Sequence, residues 1–162
     1  MANQVDGKQI RVRSEPIDRL AKDWFVQAAS SAYTVPSDTL TTIPGVSFSL
    51  RSGVTYVYYF DLELSSSNTL GATINIATTY SGSVSRFLQA GIMGSGPIGV
   101  DNQVANSNGG ELTASVSAFA TGTWPSRIHG LLDTTSAGNL TVQARRNNGT
   151  VTAQLQGWVR EL

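Results

Sequence analysis

The chain has 162 residues with 11 basic and 11 acidic side chains, so it carries no net charge that would attract nucleic acid. It contains no cysteine, which excludes disulfides, thiolate chemistry and cysteine-bound metals and fits a reducing cytosol. No segment approaches the roughly 20 consecutive apolar residues that span a bilayer, and the first residues lack the apolar core of a signal peptide. We therefore expect a soluble protein, made in the cytoplasm, without membrane insertion.

The first 23 residues differ from the rest in charge, since they hold nine of the chain's charged side chains. Within them, the segment SEPIDRLAKDW predicts a short helix with Ser14 as its N-cap, Pro16 in its first turn, and Ile17 and Leu20 on one face. Two turns of helix are marginally stable alone, so this helix needs a surface to lie on. The sequence thus predicts an N-terminal arm (1–23) and a β domain (24–162).

From residue 24 onward the apolar residues alternate with a period of two, which is typical of strands. In the clearest case, GVTYVYYFDLELS (53–65), Tyr56, Tyr58 and Phe60 point one way, and Val57 and Tyr59 point the other way. Further candidate strands are WFVQAAS, TLTTI, VSFSL, ATINIATTY, RFLQAGIM, ELTASVSAFA, SRIHGLLDT, NLTVQARR and TVTAQLQGWVREL. About nine or ten short strands separated by Gly, Asn and Ser turns predict an all-β sandwich or jelly roll.

Two connecting segments carry specific expectations. RRNNGTV (145–151) predicts a β-hairpin, because Asn-Gly tolerates the positive φ angles of a type I′ turn. GSGPIGVDNQVANSNGG (94–110) is expected to form a long loop, and loops of such length are functional or mobile.

Residues suited to catalysis or metal binding are sparse. His129 is the single histidine, which argues against a zinc site, and Asp101 alone supplies too little charge for calcium. Asp61 and Glu63 share one strand face and could serve glycoside hydrolysis, but a solvated strand face explains them better. No nucleophile-elbow motif supports a serine triad. We expect no enzyme, no cofactor and no metal, and we expect core or interface roles for the tryptophans Trp24, Trp124 and Trp158.

Several large apolar side chains fall on the strand face opposite the expected core. A monomeric sandwich keeps one wet face on each sheet, so apolar groups on the outer face favour burial between subunits. One or two such residues would be ordinary exposure. The set on separate strands predicts a homo-oligomer and comprises Val57, Tyr59, Phe119, Leu131 and Trp158.

Three segments resemble tailed-phage virion proteins with a C1q/TNF-like jelly roll. RIHGLLDTTSAGNLTVQARRNNGTVTAQLQGWVREL (127–162) is similar to their carboxy-terminal signature, and GVTYVYYFDLEL (53–64) to their central Tyr-rich strand. The arm VDGKQIRVRSEPIDRLAKD (5–23) resembles segments that open many tail-fibre, tail-tip and head-decoration chains. Residues 65–110 show no match.

The resemblance implies an antiparallel jelly-roll sandwich of about 8–10 strands that forms a homotrimer on a virion. It implies a capsid decoration (cement or head-fibre) protein that binds the phage major capsid protein, or a tail protein, through its arm and stabilises the assembled shell. In this reading Ile17 and Leu20 cap the trimer base, and KQIRVR adds to a sheet edge of the partner. The arm could instead pack on its own sandwich. The attachment residues would be Asp6, Gly7, Lys8, Gln9, Ile10, Arg11, Val12 and Arg13.

Two alternatives to capsid decoration remain. The first is a tail-tip or tail-fibre adhesion protein that binds a host-surface receptor or glycan through the segment 94–110, with contacts from Ile98, Asp101, Asn102 and Asn106. Receptor fibres usually carry long stalks, which this sequence does not show. The second is a lectin or carbohydrate-active enzyme outside any virion, which would bind sugar as an isolated protein.

Overall fold

The computed structural model describes residues 24–28, 32–66, 72–95, 99–116 and 122–162. The predicted arm and helix (1–23), with the attachment residues Asp6 to Arg13 and with Ile17 and Leu20, lie outside the described residues, as do Ile98 and Phe119. In the described part of the chain, no helix is long and apolar enough to cross a membrane.

The described residues form eleven strands, and the predicted all-β class is confirmed. Their bounds are β1 Trp24–Ala28, β2 Tyr33–Thr34, β3 Thr41–Leu50, β4 Thr55–Ser66, β5 Ala72–Tyr80, β6 Val84–Ser95, β7 Gly99–Ala105, β8 Glu111–Val116, β9 Gly122–Thr134, β10 Gly138–Arg146 and β11 Val151–Glu161.

The strands form two antiparallel sheets packed as a sandwich. The large sheet has the order β1-β11-β4-β9-β6-β7, with β2 also paired to β11, and the small sheet has the order β3-β10-β5-β8. The pairs β1/β11, β3/β10, β4/β9 and β5/β8 are nested in sequence, as in one long antiparallel ribbon rolled on itself. This arrangement is jelly-roll-like, and the β6–β7 hairpin is inserted between β5 and β8 and extends the large sheet beyond β9.

The core lies between the two sheets and is richest along β4. Tyr56, Tyr58 and Phe60 are buried, and the residues between them are only half-buried, which confirms the predicted alternation. The Phe60 ring lies 5.7 Å from that of Tyr58 and 6.0 Å from that of Phe48. Glycines on the neighbouring strands make room for these rings, since Gly157 is paired with Phe60 and Gly130 with Tyr58.

The hairpin predicted at residues 145–151 is wrong. β10 lies between β3 and β5 in the small sheet, and β11 lies between β1 and β4 in the large sheet, so the turn crosses from one sheet to the other. Asn148 lacks the positive φ that a type I′ turn requires, because Asp38 is the one non-glycine residue with positive φ among the described residues. Gly149 does have positive φ, at 69°. The local sequence produces a tight turn, but pairing with other strands decides which sheet each of the two flanking strands joins.

The prediction of a long loop over residues 94–110 is also wrong, for the middle part of that segment. β7 occupies residues 99–105 and pairs with β6, so that Asp101 lies opposite Met93 and Asn102 opposite Ile92. Asp, Asn and Gly have low strand propensity, and antiparallel pairing to a long neighbouring strand overrides it. The candidate strands TLTTI and VSFSL likewise merge into the single strand β3, which passes through Pro44 and Gly45.

Candidate interaction surface

The strand register aligns one row of side chains across the outer face of the large sheet. Trp158 on β11 is paired with Tyr59 on β4, and Tyr59 is paired with His129 on β9. His129 is in turn paired with Ala90 on β6, and Ala90 with Val104 on β7. Five neighbouring strands therefore present one continuous band of mainly apolar side chains.

A second row lies beside the first on the same face. Val57 is paired with Leu131, and Leu131 is paired with Leu88. Because alternate residues of a strand share a face, these three side chains border the first row directly. We call the two rows together the outer apolar face, which comprises Val57, Tyr59, Leu88, Ala90, Val104, His129, Leu131 and Trp158.

The outer apolar face forms a shallow groove with a volume of about 580 Å³, lined by all eight of its residues. The rings of Tyr59 and Trp158 stack nearly parallel, with their centroids 5.6 Å apart and their planes at 13°. Val57 and Tyr59 on β4, Leu131 on β9 and Trp158 on β11, all predicted from local alternation, are brought together here. The structure places these four residues on one surface, while their role in a subunit interface stays a prediction.

The most exposed part of this surface is the β6–β7 hairpin. Val104 is 70% exposed and Leu88 is 41% exposed, and Ile92 on the same hairpin is 37% exposed. The sequence analysis missed these residues, although Leu88, Ala90 and Ile92 alternate with the buried Phe87 and Met93 in a pattern that could have identified them. Large exposed apolar side chains gathered in one patch mark interaction sites more often than scattered ones do.

Charged pairs border the outer apolar face on both sides. On one side, Asp61 Oδ1 accepts hydrogen bonds from Tyr59 Oη and Arg127 Nε, both at 3.1 Å. Partial burial, followed by the bond to Asp61, raises the pKa of Tyr59 above its usual value. Asp61, considered above as a catalytic carboxylate, is thus held in an ion pair. Glu63, its proposed partner, lies exposed on β4.

On the other side, Asp133 accepts a hydrogen bond from Thr55 Oγ1 at 2.7 Å and pairs with Arg86 at 2.8 Å. The Thr55 bond, with the bond to Arg86 second, lowers the pKa of Asp133 below its usual value. These pairs frame an apolar centre with a polar rim, which is the usual arrangement of a protein–protein contact.

The outer face of the small sheet is polar. Its side chains bond to one another across strands, with Ser49 Oγ 2.8 Å from Asn139 Oδ1 and Thr79 Oγ1 3.0 Å from Thr141 Oγ1. Glu111 also pairs with Arg145 at 2.9 Å. The sandwich therefore has one outer face suited to water and one that leaves apolar groups unburied. The alternation in β4 predicted the apolar groups of the second face.

The residues predicted to form a receptor loop are not gathered at one loop tip. Asp101 and Asn102 lie within the paired strand β7, and Asn106 follows that strand and lines the end of the groove. Ile98 lies outside the described residues. Among the residues described, no three His, Cys, Asp or Glu side chains cluster as a metal site would require.

Amide side chains from the predicted loop serve a structural purpose that the sequence analysis missed. Gln103 bonds both the N–H and the carbonyl oxygen of Thr113 on β8, each at 2.6 Å. Asn108 bonds both backbone groups of Tyr80 on β5, each at 2.8 Å. These amides pair with strand backbone as another strand would, and they join the inserted hairpin to the small sheet.

Comparison with known proteins gives no family. No family model matches the chain, and no curated protein matches it. Among solved structures, the VP2 subviral particle of infectious bursal disease virus is 12% identical over 86% of this chain and 41% of that chain, with a TM-score of 0.24. The Gt strain of the same virus is 9% identical over 86% of this chain and 42% of that chain, also at a TM-score of 0.24.

A CBM4 structure is 13% identical over 83% of this chain and 97% of that chain, with a TM-score of 0.17. This chain spans about two fifths of the length of the viral proteins it matches. At TM-scores of this size we draw no functional argument from these similarities.

Proposed function

We propose that this chain is a virion structural protein, a homotrimeric capsid decoration protein of a tailed phage without enzymatic activity. The observation that carries the proposal is the difference between the two outer faces of the sandwich. Apolar side chains of five adjacent strands are aligned on the large sheet, while the small sheet presents hydrogen-bonded polar side chains. The similarity of segments 5–23, 53–64 and 127–162 to phage virion jelly rolls supports the virion as its location.

Burial of the outer apolar face would supply the free energy of self-association. Fully burying an exposed Leu or Val side chain contributes about 1.5–3 kcal/mol, so covering the exposed fractions of Leu88 and Val104 would contribute about 2–3 kcal/mol in each subunit. The stacked Tyr59 and Trp158 rings add a large flat contact area at low entropic cost. The charged pairs at the rim would then set the orientation of the subunits rather than the strength of their association.

The arm would attach this trimer to the shell. The chain enters the large sheet at the edge strand β1, where Trp24 is paired with Arg160. An arm that precedes an edge strand can extend to a neighbouring protein and add KQIRVR to the edge of its sheet. A protein that binds only the assembled shell stabilises that shell by mass action, and this would be the mechanism of the decoration.

Light scattering on the purified protein tests the oligomeric part. We expect a mass three times the 17.2 kDa of the chain. Leu131→Asp, which places a charge in the middle of the outer apolar face, should give folded monomers. Thr42→Asp, a matched change on exposed β3 of the small sheet, should leave the trimer intact. A wild-type mass of one chain would contradict the proposal.

Fractionation of phage particles with and without this protein tests the location. Decoration predicts many copies on the head and heads that rupture at lower temperature without them. A few copies at the tail would favour the adhesion alternative instead, and absence from particles would exclude both. Deletion of residues 1–13 should leave a folded trimer that no longer binds particles, so normal binding by the truncated trimer would overturn the role of the arm.

A further inference from the structure

The turn between β10 and β11 contains one of the two Asn-Gly pairs in the sequence, Asn148-Gly149, and the second pair is Asn108-Gly109. Asn-Gly is the sequence in which a backbone nitrogen most readily attacks the preceding side-chain amide, because glycine has no side chain to obstruct the approach. We propose that Asn148 is a site of spontaneous succinimide formation and deamidation in the folded protein, and that the fold protects Asn108 from the same reaction.

The reaction requires only water. The backbone nitrogen of Gly149 loses its proton and bonds to Cγ of Asn148, the Cγ–Nδ2 bond breaks, and Nδ2 leaves as ammonia. Water then opens the resulting five-membered succinimide at either carbonyl carbon, which leaves aspartate or isoaspartate at position 148. The net change is asparagine plus water to an acidic residue plus ammonia.

The surroundings of Asn148 restrain this reaction less than those of Asn108 do. Its side chain is exposed, as is that of Asn108, and Oδ1 accepts a hydrogen bond from the backbone N–H of Thr73 at 2.8 Å. Among the described residues this amide shows one hydrogen bond, whereas the amide of Asn108 shows two. Within the described part of the chain, the Gly149 N–H donates to no backbone carbonyl oxygen of a turn or loop. The contact that Gly149 makes with the Arg146 guanidinium is through its carbonyl oxygen and not through its nitrogen.

The surroundings of Asn108 oppose the reaction. Its Oδ1 accepts from Tyr80 N–H and its Nδ2 donates to the Tyr80 carbonyl oxygen, both at 2.8 Å. The attacking nitrogen is also engaged, because Gly109 N–H donates to the carbonyl oxygen of Thr78 at 3.1 Å. Three hydrogen bonds must therefore break before Gly109 N can reach Cγ of Asn108.

Peptide mapping by mass spectrometry of protein kept at 37 °C and mildly alkaline pH tests the proposal. In the folded protein we expect Asn148 to deamidate about tenfold or more faster than Asn108, since the Asn108 reaction must first break its hydrogen bonds. In concentrated urea both sites should react within about threefold of each other, because only the shared Asn-Gly sequence then acts. Equal rates at the two sites in the folded protein, or a faster reaction at Asn108, would overturn the proposal.

A charge measurement provides an independent readout. The formal net charge is zero, so each deamidated chain gains one negative charge and moves to a lower isoelectric point. The Asn148→Gln variant cannot form the five-membered ring and should lose this acidic species, whereas Asn108→Gln should retain it. Persistence of the acidic species in Asn148→Gln would also contradict the assignment.

Discussion

Glycines beside aromatic rings fix the packing of the core at the scale of single residues. A Cβ atom on Gly130 would lie 2.2 Å from the carbonyl oxygen of Leu88 and 2.3 Å from the hydroxyl of Tyr58. A Cβ on Gly157 would lie 2.3 Å from the ring of Phe60. Such distances are far inside van der Waals contact, so even alanine requires the backbone or the ring to move.

We expect Gly130→Ala to lower the free energy of unfolding by about 2–3 kcal/mol, because a well-packed site is overfilled. Gly53→Ala is the matched control, since Gly53 has φ +74° but nothing within 4 Å of its added Cβ. It should cost only about 1 kcal/mol, from backbone strain alone. Urea unfolding followed by tryptophan fluorescence measures both, and equal losses would show that the close contacts at Gly130 do not matter.

Tyr58 gives the stability of the fold a dependence on alkaline pH. Its hydroxyl donates to the carbonyl oxygen of Leu88 at 3.2 Å, and burial raises its pKa well above its usual value near 10. A raised pKa in the folded state means that the unfolded state releases its proton first. The stability contributed by neutral Tyr58 is therefore complete below about pH 10 and is lost as the pH rises above that value.

We expect the urea midpoint of the protein to fall as the pH rises from about 10 to about 12, and to fall less steeply in Tyr58→Phe. At neutral pH the variant should lose about 1 kcal/mol, because the bond to Leu88 is removed. Urea titrations at several pH values measure both effects. Identical slopes in the two proteins would assign the alkaline loss to other groups.

At the scale of elements, the inserted β6–β7 hairpin depends on amide side chains for its attachment to the small sheet. Asn108 satisfies both backbone groups of Tyr80 at the end of β5, and Tyr80 is only 3% exposed. Asn108→Ala would leave those buried backbone groups without partners, at a cost of about 1–3 kcal/mol.

Asn102→Ala is the control, since Asn102 is exposed on β7 and should change stability by about 0.5 kcal/mol or less. Hydrogen exchange locates the effect, because Asn108→Ala should accelerate exchange at the Tyr80 amide before the rest of β5 is affected. Exchange that increases equally throughout the small sheet would show that Asn108 acts on global stability alone.

At the scale of the whole molecule, the chemistry of the outer apolar face would determine how the proposed self-association responds to salt. Its centre is made of aliphatic and aromatic side chains, and its charged pairs lie at the rim. Salt screens exposed charges but does not weaken the burial of apolar surface, and sulfate strengthens it.

We therefore expect the proposed oligomer to persist from about 0.1 M to 1 M sodium chloride, where the Debye length falls to about 3 Å. Val104→Ser on β7 should raise the dissociation constant of the subunits about tenfold or more, because the outer apolar face loses an apolar side chain. Sedimentation velocity measures both. Dissociation by salt would mean that the charged rim, rather than the apolar centre, holds the subunits together.

Local periodicity determines a large part of this protein. The alternation along residues 53–65 predicted both the strand class and the side chains that face the core, because successive strand residues point to opposite faces wherever the strand lies. For the same reason the alternation on this strand identified Val57 and Tyr59 as outward-facing, and the alternation on two other strands identified Leu131 and Trp158. Each of these predictions concerns one strand and needs no knowledge of its neighbours.

Only the tertiary structure decided which strands lie side by side. It separated β10 from β11 despite the Asn-Gly turn between them, formed β7 from residues of low strand propensity, and aligned Trp158, Tyr59 and Val104 in one row. Strand neighbours are chosen by hydrogen bonds and packing between residues far apart in sequence, and no local pattern records that choice. A surface built from five strands can therefore be recognised only once their order is known.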